Sequence, residues 1–174
     1  MKISIEKVNA LERDTFVAWF GGLYEHSAWA AEAAAGARPL GSRDDLRGAL
    51  VAAVEAASRE CKMELVRAHP DLAGKAAMAG ELTPESSGEQ SSVGLDRLSL
   101  EEYEAFTRMN RAYREKFEMP MILCVREHAN KESILRNAEE RLDNTHEEEV
   151  EVALVEIHKI ARLRLEDLVE EVGR

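Results

Sequence analysis

Three polar residues stand apart from their surroundings and carry most of the chemistry this sequence offers. His69 lies in RAHPDLAG, directly before Pro70. A proline disfavours the helical conformation in the residue before it, so His69 is expected at the C-terminal end of a helix. Unpaired carbonyls at such an end favour a positive imidazole. That suits an acid or the partner of a carboxylate, and it suits equally a capping histidine with one backbone hydrogen bond.

Glu89 lies in TPESSGEQ with Ser86, Ser87, Gly88 and Gln90. Glu85 and Glu89 are four apart, as are Ser86 and Gln90, so the two pairs form adjacent rows on one helix face. Two carboxylates at that spacing oppose each other, and Gly88 costs about 1 kcal/mol relative to alanine in a helix interior. A stretch that breaks propensity rules twice reads as a site or as an irregular surface turn.

Arg164 is singled out by periodicity. At about 100° per residue, Val150, Ala153, Leu154, Ile157, Ile160, Ala161, Leu165 and Leu168 make one apolar stripe. Arg164 falls inside that stripe, whereas Arg162 points away from it toward solvent. A guanidinium facing a core must be paired. It is either half of a structural salt bridge or a fork for a ligand's carboxylate or ureido oxygens.

Other chemistry is missing. There is no His-Glu-x-x-His or Cys-x-x-Cys, so no metal ligation is expected. There is no phosphate loop, dinucleotide fingerprint or nucleophile elbow. Of the remaining histidines, His26 reads as structural, and His128, His146 and His158 lie among charges and are expected in solvent.

The elements that must position these residues read as helices. Asn9 with Glu12 resembles a capping box for a first helix whose apolar face holds Leu11, Phe16, Trp19, Phe20 and Leu23. Pro39 and Gly41 break the pattern, and Ser42 is a plausible N-cap for one helix from about Arg43 to Ala68. Thr83 with Pro84 has the order of a helix start. Ser99 with Glu102 and Thr145 with Glu148 read as capping boxes for two long helices, with another from Asn130 to Leu142 between them. The stripe of the first long helix is Tyr103, Phe106, Tyr113 and Phe117, with Asn110 sitting in it. The apolar run Met121–Val125 has no strand to pair with and is expected as an extended or helical core segment. The fold class expected is all-α, a single-domain bundle of six to eight helices over residues 1–174.

Bulk properties narrow the partners. The 174 residues carry a formal charge of −11, with 45% hydrophobic and 33% charged residues. That composition is ordinary for a folded domain and argues against a general nucleic-acid binder. Any anion site must be locally positive. No apolar run approaches the ~20 residues of a membrane span. MKISIEKVNA lacks the apolar stretch of a signal peptide and VEEVGR carries no peroxisomal tripeptide, so cytoplasm is expected. Cys61 and Cys124 are expected as free thiols.

The combination of AHPDLAGKAAMAGELTPESSGEQSSVGLDRL, RMNRAYREKFEMPMILCV and EIHKIARLRLEDLV, with FGGLYEHSAW and ARPL upstream, resembles the 2-oxo-4-hydroxy-4-carboxy-5-ureidoimidazoline (OHCU) decarboxylase family over about Val8 to Val169. The resemblance implies an all-α homodimer without cofactor or metal that acts after urate oxidase and hydroxyisourate hydrolase. Its substrate is a small molecule, OHCU, converted to (S)-allantoin with loss of carbon dioxide. By position it implies His69 as the catalytic histidine, Glu89 as its acidic partner and Arg164 as the third catalytic residue. Pro70, Ser86, Ser87, Gly88, Glu89 and Gln90 would line the pocket. So would Met121, Ile122, Leu123, Cys124 and Val125, largely through backbone groups. One departure stands out: the family pattern KFGFPF is KFEMPM here, with Glu118 in place of glycine and Met119 and Met121 in place of aromatics. Two other readings use the same residues: a helical module that binds a ureide or purine-like ligand without turnover, and a structural subunit whose polar trio is a buried ion-pair network.

Overall fold

The computed structural model describes residues 2–171, which form ten α-helices joined by turns and two short 3-10 segments. Among the described residues the one β contact is an isolated parallel bridge between Ile3 and Val169. The all-α class is therefore as expected. Three of the helices, α1 (Ile5–Ala10), α3 (Trp29–Ala34) and α6 (Lys75–Ala79), have six residues or fewer, too short for a periodic signal. The other seven match the expected six to eight. No helix of the described residues is long and apolar enough to cross a membrane.

The chain falls into two units. The first holds the described residues up to Leu65 and from His158 onward. It contains α1, α2 (Arg13–Phe20), α3, α4 (Arg43–Glu55), the start of α5 (Arg59–Ala68) and the end of α10 (His146–Leu168). Leu46, Leu50 and Val54 recur every fourth residue on α4 and are buried. They meet α3, whose buried residues Ala30, Ala31 and Ala34 are small enough for close approach. Near the chain's two ends, the Ile3 N–H donates to the Leu168 carbonyl and the Glu170 N–H to the Ile3 carbonyl, both at 2.9 Å.

The second unit runs from Val66 to Ile157. It contains α6, α7 (Pro84–Ser92), α8 (Leu100–Phe117), α9 (Lys131–Arg141) and the first part of α10. Phe106, Met109, Tyr113 and Phe117 follow the 3- and 4-residue spacing of one α8 face and are all buried, each contributing on the order of 1.5–3 kcal/mol of apolar burial. Tyr103, expected in the same stripe, is half-buried. That face packs on α9 through Ile134 and Ala138.

The expected caps form where the residues stand. The Ser42 and Thr83 hydroxyls accept the N–H groups of Asp45 and Ser86. Ser99 and Glu102 make both bonds of a capping box, as do Thr145 and Glu148. Two expectations need correction. The helix foreseen from Arg43 to Ala68 is two helices, because the Ser58 hydroxyl accepts the Cys61 N–H and starts α5 afresh after the Ala56–Ala57 turn. Asn9 is not an N-cap: α1 already covers it, and its carboxamide makes a two-way bridge to the Leu40 backbone, 2.8 Å in each direction. Glu12 occupies the cap position of α2 instead.

Candidate active site

In the second unit, α5 ends at Ala68, one residue before His69 and two before Pro70, as the proline requires. The His69 N–H still reaches the Val66 carbonyl at 3.3 Å, so the imidazole leaves from the last turn of the helix. His69 is buried and Pro70 half-buried. Beyond Pro70 the backbone turns through Asp71, Leu72 and Ala73 before α6 begins, and Ala73 adopts a left-handed φ of 49°.

Helix α7 brings Gln90 to this turn. Gln90 is buried, and its carboxamide is spent on the turn from both ends. Its Oε1 accepts the Ala73 N–H at 2.8 Å, and its Nε2 donates to the Asp71 carbonyl at 3.3 Å. The side chain beside Glu89 thus fastens α7 to the segment that follows His69. Glu89 itself is half-buried, Ser86 is buried, and Ser87 and Gly88 are exposed. Asp71 is further held by Arg114 of α8, Nη2 to Oδ1 at 3.1 Å.

The Met121–Val125 segment is extended rather than helical up to a 3-10 turn at Val125–Glu127, and all five residues are buried. Two of its backbone groups are held by buried charges. Arg141 Nη1 donates to the Ile122 carbonyl at 2.8 Å, and Glu156 Oε2 accepts the Cys124 N–H at 2.8 Å. Arg141 is in turn paired with Glu149, a fully buried carboxylate that also accepts from Asn144. This framework holds an irregular strand of backbone inside a helical unit, where unpaired peptide groups are costly.

In the first unit, Arg164 is buried in the α10 stripe as the periodicity required. Its Nη1 donates to the Glu25 carboxylate and to the Gly22 carbonyl, each at 3.1 Å. The salt bridge anticipated as one reading of Arg164 is therefore present. The same unit holds a chain of polar contacts that corrects the solvated reading of His158. Nδ1 of His158 meets the hydroxyl of the buried Tyr24 at 2.9 Å, and Nε2 meets the Glu55 carboxylate at 3.1 Å. Burial pushes the Tyr24 hydroxyl well above its ordinary pKa, with Glu55 adding to the effect. Arg162, expected to point to solvent, is half-exposed and paired with Glu166.

Glu25, Arg141, Glu149 and Glu156 were missed in the sequence. For Glu149 and Glu156 a signal exists: with Ala153 and Ile160 they recur at 149, 153, 156 and 160, the same helical arithmetic that singled out Arg164. Cys61 and Cys124 are free, as expected, with Cys124 buried. Among the described residues no cluster of histidine, cysteine or carboxylate side chains is placed to hold a metal ion.

A family model described as OHCU decarboxylase matches residues 9–166. A protein of Haloferax volcanii named 2-oxo-4-hydroxy-4-carboxy-5-ureidoimidazoline decarboxylase is 44% identical over 94% of this chain and 95% of its own. A crystal structure of (S)-allantoin synthase superposes with a TM-score of 0.76 at 31% identity, over 96% of this chain and about half, 54%, of the other. A crystal structure of OHCU decarboxylase in the presence of (S)-allantoin shares the fold, with a TM-score of 0.67 at 21% identity over 90% of this chain and 97% of its own.

Proposed function

The chain belongs to the OHCU decarboxylase family, and from that premise we propose how its residues divide the work of the reaction. It is a decarboxylating lyase that converts OHCU to (S)-allantoin in urate degradation. His69 faces the hydroxyl and carboxylate of the reacting carbon, with Glu89 as the acid that orients its ring. Arg164 supplies the fork for the substrate's ring and ureido oxygens. Pro70, the Ser86–Gln90 segment and the backbone of Met121–Val125 complete the substrate contacts.

The bond from ring carbon to carboxylate breaks, carbon dioxide leaves, and the electron pair passes into the conjugated ring. One proton is then delivered to the ring from one face, which sets the S configuration. Fixed donors around the ring stabilise the charge as it develops, and holding the substrate in register supplies a further part of the barrier reduction. The enzyme works as a cytoplasmic homodimer without a cofactor.

The observation that carries the roles of His69 and Glu89 is the Gln90 carboxamide, which binds the turn after His69 from the position next to Glu89. The test generates OHCU in situ with urate oxidase and hydroxyisourate hydrolase and follows (S)-allantoin by circular dichroism. His69→Ala and Glu89→Ala are expected to fold normally and to lose stereospecific conversion. Full turnover by His69→Ala refutes the assignment.

A further inference from the structure

The turn that follows His69 lies between α5 and α6, and three consecutive residues of it, Asp71, Leu72 and Ala73, are tied by side chains. Gln90 takes the Asp71 carbonyl and the Ala73 N–H. The middle residue is held from another helix: Asn110 Nδ2 of α8 donates to the Leu72 carbonyl at 2.8 Å. Asn110 sits between Phe106 and Tyr113 on the buried face of α8, at 8% exposure. Its Oδ1 is buried without a hydrogen-bond partner among the described residues.

A carboxamide there is costly twice. It is taken out of water, and half of its bonding capacity goes unused. If the position served the fold alone, an apolar side chain of the same size would fit the α8 stripe better. What the carboxamide does that leucine cannot do is fix the Leu72 carbonyl, and with it the path of the backbone leaving Pro70. Tying the Leu72 carbonyl narrows the paths open to the backbone leaving His69, and Pro70 fixes one of the torsions between them.

We propose that Asn110 is a positioning residue for His69, acting through the Leu72 carbonyl to fix the direction of the imidazole. This rests on the reading of His69 as the acting histidine. It predicts that Asn110 governs the rate of the chemical step rather than substrate affinity.

The experiment compares the full-length wild type with Asn110→Leu and Asn110→Asp. In Asn110→Leu one orphaned acceptor replaces another, so the melting temperature is expected to stay within a few degrees while kcat falls about 10- to 100-fold with KM nearly unchanged. The His69 imidazole resonance, titrated by NMR without substrate, is expected to move its midpoint by roughly half a pH unit between wild type and Asn110→Leu. Asn110→Asp regains the donor only while its carboxyl is protonated, so its kcat is expected to recover toward acid pH and vanish above it, a profile neither other protein shows. Wild-type kcat in Asn110→Leu, an unmoved His69 midpoint or a wild-type pH profile in Asn110→Asp overturns the proposal. If Asn110→Leu does not fold, the Asn110→Asp profile decides. A wild type inactive on OHCU breaks the underlying reading instead, and the His69 titration still decides whether Asn110 positions the ring.

Discussion

Arg164 Nη1 and Glu25 Oε2 lie 3.1 Å apart with their side chains 5% and 1% exposed. The pair joins the end of α10 to the turn after α2, and both charges are out of water. The Coulomb attraction of such a pair roughly repays its desolvation, so the pair adds little net stability, but losing one member leaves a costly lone charge.

Glu25→Gln keeps the size of the side chain and removes the counter-charge of Arg164. It is expected to cost about 3–5 kcal/mol in urea unfolding, as is Arg164→Met. The double variant is expected to recover much of that loss, because no stranded charge remains. Activity separates structure from chemistry. A double variant that folds yet fails to convert OHCU places Arg164 in the reaction; one that folds and converts OHCU at the wild-type rate makes the pair purely structural.

The capping carboxylates contribute to the acid limb of stability. Hydrogen bonds from the Ser99 N–H and from Lys131 hold Glu102 below its ordinary value of 4.5, and the Thr145 N–H and hydroxyl do the same for Glu148. A carboxylate with a lowered folded pKa contributes stability that is complete above its unfolded value and is lost as the pH falls through the folded one. Melting temperature is therefore expected to hold from neutrality to about pH 5 and to fall below about pH 4.5. Glutamine still caps a helix but does not titrate. In Glu102→Gln/Glu148→Gln the drop between about pH 5 and pH 3 is expected to be shallower than in the wild type. An unchanged acid limb in thermal melts removes these two groups from the account.

The reach of sequence reasoning here follows the range of the forces involved. Ser42, Thr83, Ser99 and Thr145 were legible because a cap satisfies donors two or three residues away. His69 was placed at a helix end because proline acts on its neighbour. Arg164 emerged because helical periodicity is regular over the 23 residues of α10. The partners were not legible. Nothing local ties Glu25 to Arg164, Arg141 to the Ile122 carbonyl, or Asn9 to Leu40; each bond closes a long loop chosen by packing. The break at Ser58 was hidden because the alanines before it and the arginine, glutamate, lysine, methionine and leucine after it all favour helix.

Glu118 ends α8 at φ 56° and ψ 26°, the left-handed conformation, with its N–H on the Arg114 carbonyl at 3.2 Å. For a residue with a Cβ that conformation costs about 1–2 kcal/mol, and for glycine nearly nothing, which accounts for the glycine of the family pattern KFGFPF at this place. Glu118 is exposed, while Met119, Pro120 and Met121 after it are buried, so the strain sits at the entrance to the buried segment and not within it. Glu118→Gly relieves the strain and gives back part of the gain through the greater freedom of the unfolded chain. The net expected is about 1 kcal/mol of added stability, a rise of about 2–4 °C in melting temperature for a chain of this size. The path of the backbone into Met119–Met121 is already the one glycine prefers, so the OHCU conversion rate is expected to stay within about twofold. A lower melting temperature would show that the Glu118 side chain contributes more than its backbone strain costs; a changed rate at raised stability would show that α8 does not end independently of the Met121–Val125 segment.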